Sequence, residues 1–311
     1  MLSLMREAIS RRAAGLLTYG ITPPKRSYPA DKRARVAEKQ TARINALPVD
    51  GLVIYDIQDE SDRTDEERPF PFIHPVDPVE YAYDDLAGVT VPKVVYRCVG
   101  AHTEASLTQG LRRIDGEGGL SVFVGAASST QATTMKLPEA YALRTQQFGE
   151  VPLGGVLIAE RHEARGGEDA RVLRKVDAGC SFFVSQAVYS VVASKNVLSD
   201  LYYRAQQSGR DVPPILVTLS PCGSTKTMEF MRWLGISVPR WLENELVHAR
   251  DILELSIDLC ADILADLVDF ARDKGIPLGC NVESVSLRKA EIDASVELVH
   301  RARAILDGGS K

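Results

Sequence analysis

Short apolar runs rich in β-branched residues recur about eight times along this chain, and helical patterns follow them. The runs are apolar throughout rather than alternating, which is typical of parallel strands buried on both faces. They span residues 16–20, 51–55, 93–99, 120–125, 154–159, 180–185, 214–220 and 277–283. Helical signals cover residues 31–47, 102–114, 168–179, 187–208 and 289–306, while residues 240–274 are expected to form more than one helix.

This alternation over 311 residues predicts a (β/α)8 TIM barrel, an α/β fold, as a single domain over residues 1–311. The barrel is expected at about residues 16–307, after a short amphipathic helix in residues 1–15 that packs on it. A basic helix on a membrane surface is the alternative for residues 1–15. The rival fold is a doubly wound open sheet, but no GxGxxG follows the first strand, where a dinucleotide-binding fold has its phosphate turn.

Composition excludes several classes of partner. The net charge is −5, and acidic and basic residues are interspersed without a basic block, so nucleic acid is not expected as a partner. No apolar run approaches the ~20 residues that span a bilayer. The five cysteines show no metal-ligand spacing, which predicts buried thiols, a reducing compartment and no metal site. We therefore expect a cytoplasmic protein without a membrane partner, and the sequence leaves open whether it forms a homo-oligomer.

Polar residues at the carboxyl ends of the predicted strands are candidates for a functional site, because those ends form the active-site face of such barrels. Gln186 ends the sixth strand, and an unpartnered buried amide costs roughly 1–3 kcal/mol. Either neighbouring residues hold this amide, or it contacts a ligand. Glu283 ends the last strand, whereas Asp56, Asp59 and Glu60 follow the second.

A carboxyl group that loses its water at a barrel mouth has a raised pKa and can donate a proton near neutral pH. Glu283, Asp56 and Glu60 are therefore the candidate catalytic acids. The alternative for Glu283 is an ion pair with Arg288, Lys289 or Arg97. The alternative for the acidic run after the second strand is a solvated loop.

Five short segments, in the same order, resemble the methylenetetrahydrofolate reductase family. The most specific is RKVDAGCSFFVSQ at 174–186, and the others are YGITPPK (19–25), DRT (62–64), ISVPRWL (236–242) and SLRKAE (286–291). The resemblance covers roughly residues 14–305. It implies a reductase that converts 5,10-methylenetetrahydrofolate to 5-methyltetrahydrofolate, with NAD(P)H as hydride donor and FAD as relay in the usual members.

The resemblance also implies roles for particular residues. Gln186 matches the glutamine that contacts the pterin of the folate substrate, and Lys289 stands where the family has an arginine near the folate. The segment that supplies a glutamine and a stacking phenylalanine corresponds to Thr227, Phe230 and Met231. The residues matching flavin-binding positions are His162, Glu168, Arg174 and Lys175. For each, a purely structural role is the alternative.

Departures from the family pattern affect the chemistry. The acid on the first strand aligns with Gly20, and the aspartate near the flavin ring aligns with Ala126. These changes leave two predictions open: a reductase that uses FAD, or one that transfers hydride without a flavin. A folate-dependent one-carbon or methyl transferase and a non-catalytic folate-binding protein are the further alternatives.

Overall fold

Eight parallel strands close into a barrel in the computed structural model, which describes residues 4–59, 64–125 and 133–308. Each strand pairs with the next along the chain, and the eighth pairs with the first. The strands are β1 (Leu17–Ile21), β2 (Gly51–Ile54), β3 (Lys93–Cys98), β4 (Leu120–Val124), β5 (Leu153–Leu157), β6 (Cys180–Ala187), β7 (Ile215–Leu219) and β8 (Leu278–Glu283). The predicted TIM barrel is confirmed, and every strand lies within two residues of its predicted limits.

Helices connect the strands around the outside. They are α1 (Leu4–Ser10), α2 (Ala30–Asn45), α3 (Pro78–Glu80), α4 (Glu104–Gly116), α5 (Leu137–Gln147), α6 (Ala159–Arg165), α7 (Glu168–Asp177), α8 (Val191–Gln207), α9 (Thr225–Trp233), α10 (Arg240–His248), α11 (Ile252–Lys274) and α12 (Lys289–Leu306). A π-helical turn (Tyr81–Asp85) follows α3, and a 3-10 turn (Val99–Ala101) follows β3. Residues 240–274 contain two helices, as expected.

The helices α5 and α6 lie outside the helical signals found in the sequence. The buried face of α5 includes Arg144, whose guanidinium donates to the Val151 carbonyl, so an apolar pattern does not mark this face. The helix α6 has seven residues and buries only Ala159, which is too little to produce a helical period.

The core has an inner and an outer part because side chains alternate between the two faces of each strand. The outer part packs β-strand residues against the helices. The inner part fills the barrel, and Met5 and Ile9 of α1 join Leu16 and Val53 at its amino-terminal end. The Arg6 guanidinium donates to the Gly119 carbonyl at 2.6 Å. The N-terminal helix therefore packs on the barrel, as predicted, and closes its lower end.

Among the described residues, no helix combines the length and the apolar character needed to cross a bilayer.

Replacing Gly279 by alanine should lower the free energy of unfolding by more than about 2 kcal/mol, because the new methyl group overpacks the barrel wall. A Cβ atom there would overlap the Leu16 carbonyl oxygen and lie 2.6 Å from Leu216 Cδ2. Gly116 is the matched control: a Cβ there meets nothing within 4 Å, so its alanine variant should be neutral or slightly stabilising. Urea unfolding of both variants tests this, and equal stabilities would contradict the packing described.

Candidate functional site

Polar side chains form a layer inside the carboxyl half of the barrel. Glu283 of β8 lies beside Gly20 of β1 in the strand register, and Tyr55 follows β2 directly. Tyr55 and Tyr96 of β3 pack edge to face, with ring centroids 4.8 Å apart. Asn281 Nδ2 donates to the Tyr55 hydroxyl at 2.8 Å. The apolar interior of the barrel thus ends, toward the mouth, in an acid, two phenols and an amide.

Glu283 is the acid of this layer. The residue is half-buried, and the surrounding protein removes most of the water from its carboxyl group and raises its pKa to about 7. The neighbouring Tyr55 hydroxyl acts in the opposite direction and lowers that pKa. Near neutral pH, Glu283 is therefore divided between the protonated and ionised forms, as a general acid requires.

The three cations considered as partners for Glu283 bind other acids. Arg97 Nη1 lies 2.9 Å from Asp77 Oδ2, Arg288 pairs with Glu291, and Lys289 pairs with Asp293. The structure therefore does not place Glu283 in the ion pair that the sequence offered as its structural role.

Residue 20 is a glycine, and the space that a side chain would fill at this position is occupied by the polar layer. A Cβ atom on Gly20 would lie 2.9 Å from Tyr55 Cε2, 3.0 Å from its hydroxyl oxygen and 3.1 Å from Glu283 Cβ. Contacts this short are too tight for an ordinary carbon atom. A larger residue at Gly20 and the observed positions of Tyr55 and Glu283 are thus mutually exclusive.

Gln186 lies near the carboxyl end of β6, within an irregularity in the pairing with β7 between Val184 and Ala187. Its side chain is half-buried, and its Nε2 donates to the Leu234 carbonyl at 2.9 Å. The amide is therefore tied to the loop after α9 through its nitrogen. Its assignment to a ligand stays a prediction.

Asp56 is held in a second polar network at the carboxyl ends of β2 and β3. Its Oδ2 accepts from the Cys98 backbone nitrogen at 2.7 Å and lies 3.2 Å from His102 Nε2. Because Arg97 can only donate to His102 Nδ1, the imidazole carries its proton on Nε2 and donates it to Asp56. These contacts give Asp56 a structural task, whereas Glu60 and Ala126 lie outside the described residues.

The residues after β7 are mostly internal supports. Thr227 is fully buried and donates to Glu291 Oε1 at 2.9 Å, while Met231 is buried in the core. Lys289 is 89% exposed and its nitrogen lies 2.5 Å from Asp293. The structure does not bring these three side chains to Glu283.

Phe230 belongs to an aromatic cluster that joins α9 to the segment after β2. Its ring packs against Phe70 at 5.3 Å and Trp233 at 6.0 Å, and the Arg68 guanidinium lies over both Phe230 and Trp233. Trp233 Nε1 also donates to the Glu66 carbonyl at 3.1 Å. The segment from Glu66 to Phe70, which follows β2 in the chain, thus packs against α9, the helix after β7.

The four residues expected to bind a flavin lie on α6 and α7. Glu168 is fully buried and holds the Ile158 nitrogen, Arg161 and Arg171. His162 pairs with Asp200.

The two basic residues of this group are separated by their helix. Lys175 donates to the Val156 carbonyl at 2.6 Å, and burial lowers its pKa, whereas Arg174 is exposed. The described contacts thus bind α6 and α7 to β5 and α8. They do not form a common cradle for a flavin.

The sequence analysis assigned no site role to Tyr96, Thr18 or Thr218. The sequence does contain a signal for the polar layer, because residues two apart on a strand face the same side. Thr18 and Gly20 have this spacing on β1, and Asn281 and Glu283 have it on β8.

A scan against models of known protein families gave no match, and neither did a search of the curated proteins. The solved structures similar to this chain include an uncharacterized protein from Clostridium thermocellum that binds two copies of 5-methyl-5,6,7,8-tetrahydrofolic acid. It is 44% identical with a TM-score of 0.87, over 97% of this chain and 100% of that chain. A dihydropteroate synthase from Xanthomonas albilineans covers 94% of each chain at 13% identity and a TM-score of 0.48, which carries no functional information.

The fold and site define a (β/α)8 barrel with an acid buried at its mouth. At 44% identity over almost its whole length, the chain belongs to the same family as the Clostridium thermocellum protein. The resemblance to the reductase family remains a prediction.

Replacing Glu283 by glutamine should change how stability depends on pH. The ordinary pKa of 4.5 is raised to about 7 in the folded protein, so the folded state holds this proton more tightly than the unfolded chain does. The stabilisation that the protonated Glu283 contributes is complete below pH 4.5 and is lost as the pH rises through 7. Between pH 5.5 and pH 8, the wild type should lose about 2 kcal/mol relative to Glu283→Gln in urea unfolding.

The exposed Glu245 is the matched control, and its glutamine variant should follow the wild type. Parallel curves for the wild type and Glu283→Gln would contradict a raised pKa.

Proposed function

We propose that this protein binds a reduced folate at the barrel mouth and that Glu283 acts as the acid beside the ligand. The observation that supports this most strongly is the 5-methyltetrahydrofolate bound by the full-length relative at 44% identity. The inner polar layer suits such a ligand chemically. A pterin is flat and carries donors and acceptors along its edges, while Tyr55 and Tyr96 offer aromatic surface and Glu283 can donate or accept.

The reaction that best uses this acid is reduction of 5,10-methylenetetrahydrofolate. Opening the methylene bridge breaks its bond to N10, and that nitrogen needs a proton as it leaves. Glu283 supplies the proton, which leaves an iminium between N5 and the one-carbon unit. NAD(P)H supplies the hydride that converts this iminium to the N5-methyl group. The balance is one hydride and one proton consumed for each 5-methyltetrahydrofolate formed.

Glu283 is a suitable replacement for the acid that the resemblance expects at position 20. The two positions are neighbours in the β1–β8 register, and only one of them has room for a side chain. An acid placed on β8 therefore serves the same part of the mouth. Its pKa of about 7 matches what proton donation at neutral pH requires.

The residues on α6 and α7 do not fit an FAD, so the proposed hydride transfer takes place without a flavin. Glu168 and Lys175 would have to leave the Ile158 nitrogen and the Val156 carbonyl in order to reach one. Losing those contacts would leave buried charges without partners, which is costly.

Folate binding without reduction is the second candidate. The relative holds two copies of the methylated form, which is the product of the proposed reaction, and this favours a protein that keeps or hands over 5-methyltetrahydrofolate. A methyl transferase would also start from that ligand, with Glu283 protonating N5 so that the methyl group can leave to an acceptor.

Replacing Gln186 by alanine should weaken binding of 5-methyltetrahydrofolate about tenfold or more, the scale of one buried hydrogen bond to a ligand, while costing less than about 1 kcal/mol of stability. Calorimetric titration together with urea unfolding separates the two effects. Gln206, at the carboxyl end of α8, is the matched control, because its amide contacts only the neighbouring Tyr202 hydroxyl in the described contacts. Equal affinity in the wild type and Gln186→Ala would remove Gln186 from the site.

The purified protein should oxidise NADH or NADPH only when 5,10-methylenetetrahydrofolate is present, and without a flavin absorbance band. Glu283→Gln should lower kcat by about 10²–10⁴-fold, the usual scale of general acid catalysis, and should leave folate binding largely intact. Stopped-flow absorbance at 340 nm measures the oxidation of NAD(P)H, and calorimetric titration measures folate binding. Intact binding of 5-methyltetrahydrofolate with no oxidation would reject the reductase and leave the binding protein or transferase.

A further inference from the structure

A chain of hydrogen bonds crosses the barrel interior and ends at Tyr55. The Thr18 hydroxyl donates to Asn281 Oδ1 at 2.8 Å, and Asn281 Nδ2 donates to the Tyr55 oxygen at 2.8 Å. A phenol has a single proton, and its oxygen already accepts from Asn281. That proton is therefore left for Glu283: the Tyr55 hydroxyl and Glu283 Cβ both lie within 3.1 Å of one point beside the Gly20 backbone.

A second contact fixes the direction of the amide. The Thr218 hydroxyl lies 2.7 Å from the Ser185 carbonyl oxygen, which can only accept, so Thr218 donates there. Its oxygen then accepts from Asn281 Nδ2 at 3.3 Å. With Thr18 donating to the amide oxygen and Thr218 accepting from the amide nitrogen, Asn281 can present only its N–H to Tyr55.

Packing holds the Tyr55 ring in the same place. It lies edge to face against Tyr96, and the backbone of Gly20 leaves the space that the ring and hydroxyl fill. A point one carbon bond from the Gly20 backbone lies 3.0 Å from the Tyr55 hydroxyl and 3.1 Å from Glu283 Cβ. The Tyr96 ring and the Gly20 backbone therefore restrict movement of the Tyr55 ring away from Glu283. The hydrogen bond from Asn281 holds its oxygen in the same place.

We propose that Tyr55 is a positioning residue for Glu283: oriented by Asn281 and admitted by Gly20, it holds the carboxyl group in one direction and stabilises its ionised form. The proposal rests on the proposed function only for the identity of the ligand beside Glu283. Without Tyr55, the acid would keep its proton to higher pH and would lose its fixed orientation.

The titratable groups that face Glu283 come from two strands. Tyr55 follows β2 and has its hydroxyl proton free for Glu283, whereas Tyr96 on β3 acts on Glu283 through charge. Burial raises the pKa of both phenols well above its ordinary value, so both stay neutral across the range in which Glu283 titrates. Among the described residues, these two phenols are the ionisable groups in electrostatic contact with it. A change in the Glu283 titration can thus be traced to one hydroxyl group.

The test is an NMR titration of the ligand-free protein carrying ¹³C-labelled glutamate, with the Glu283 carboxyl signal identified by its loss in Glu283→Gln. The wild-type midpoint is expected at about 7. Tyr55→Phe should raise the midpoint by about one pH unit, the scale of a single hydrogen bond to a charged group. Tyr96→Phe is the matched control and should move it by less than about 0.3 unit, because Tyr96 donates no hydrogen bond to Glu283.

Gly20→Ala provides a second route that keeps every polar group. The added methyl group displaces the Tyr55 hydroxyl, so the midpoint should rise in the same direction as in Tyr55→Phe. Unchanged midpoints in both variants, or an equal shift in Tyr96→Phe, would overturn the proposal. Because no folate is present, a failure here is distinct from a failure of folate binding, which the calorimetric titration detects separately.

Discussion

Pairing between β8 and β1 is the constraint on which the rest of the molecule depends. It closes the sheet, so every strand has two neighbours and no edge is left open. It also places Gly20 beside Glu283 and Thr18 beside Asn281, although more than 250 residues separate them in the chain. Closure thus brings the first and last strands together to build one side of the polar layer.

The interior changes character along the barrel axis. At the amino-terminal end, Met5 and Ile9 of α1 complete an apolar filling. Toward the mouth the filling becomes polar, and the cost of burying Asn281 and Tyr55 is offset because their hydrogen bonds are satisfied. Glu283, the acid at the outer end of this network, changes its protonation near neutral pH. The packed lower half therefore supports a rigid upper half, as a site that orients a ligand requires.

The candidate residues divide into two groups according to the elements that carry them. Glu283 and Gln186 lie at strand ends, near the mouth. Glu168 and Lys175 lie on α7, where they bind the strand β5 to its covering helix. A residue's position in a family motif thus does not by itself bring it to the mouth, and in this chain the motif around α7 serves the barrel wall. The strand-end acid and the similarity to a folate-binding relative carry the proposed function.

The sequence by itself determined the eight strands, their parallel arrangement and the closed barrel, because strands buried on both faces must be apolar throughout and must alternate with helices. It also singled out Glu283 and Gln186, since the ends of such strands meet at one face. Only the tertiary structure decided that the candidate cations pair with other acids and that Tyr55 reaches Glu283 through the space left by Gly20. Those outcomes depend on register and packing between distant strands, which no local pattern encodes.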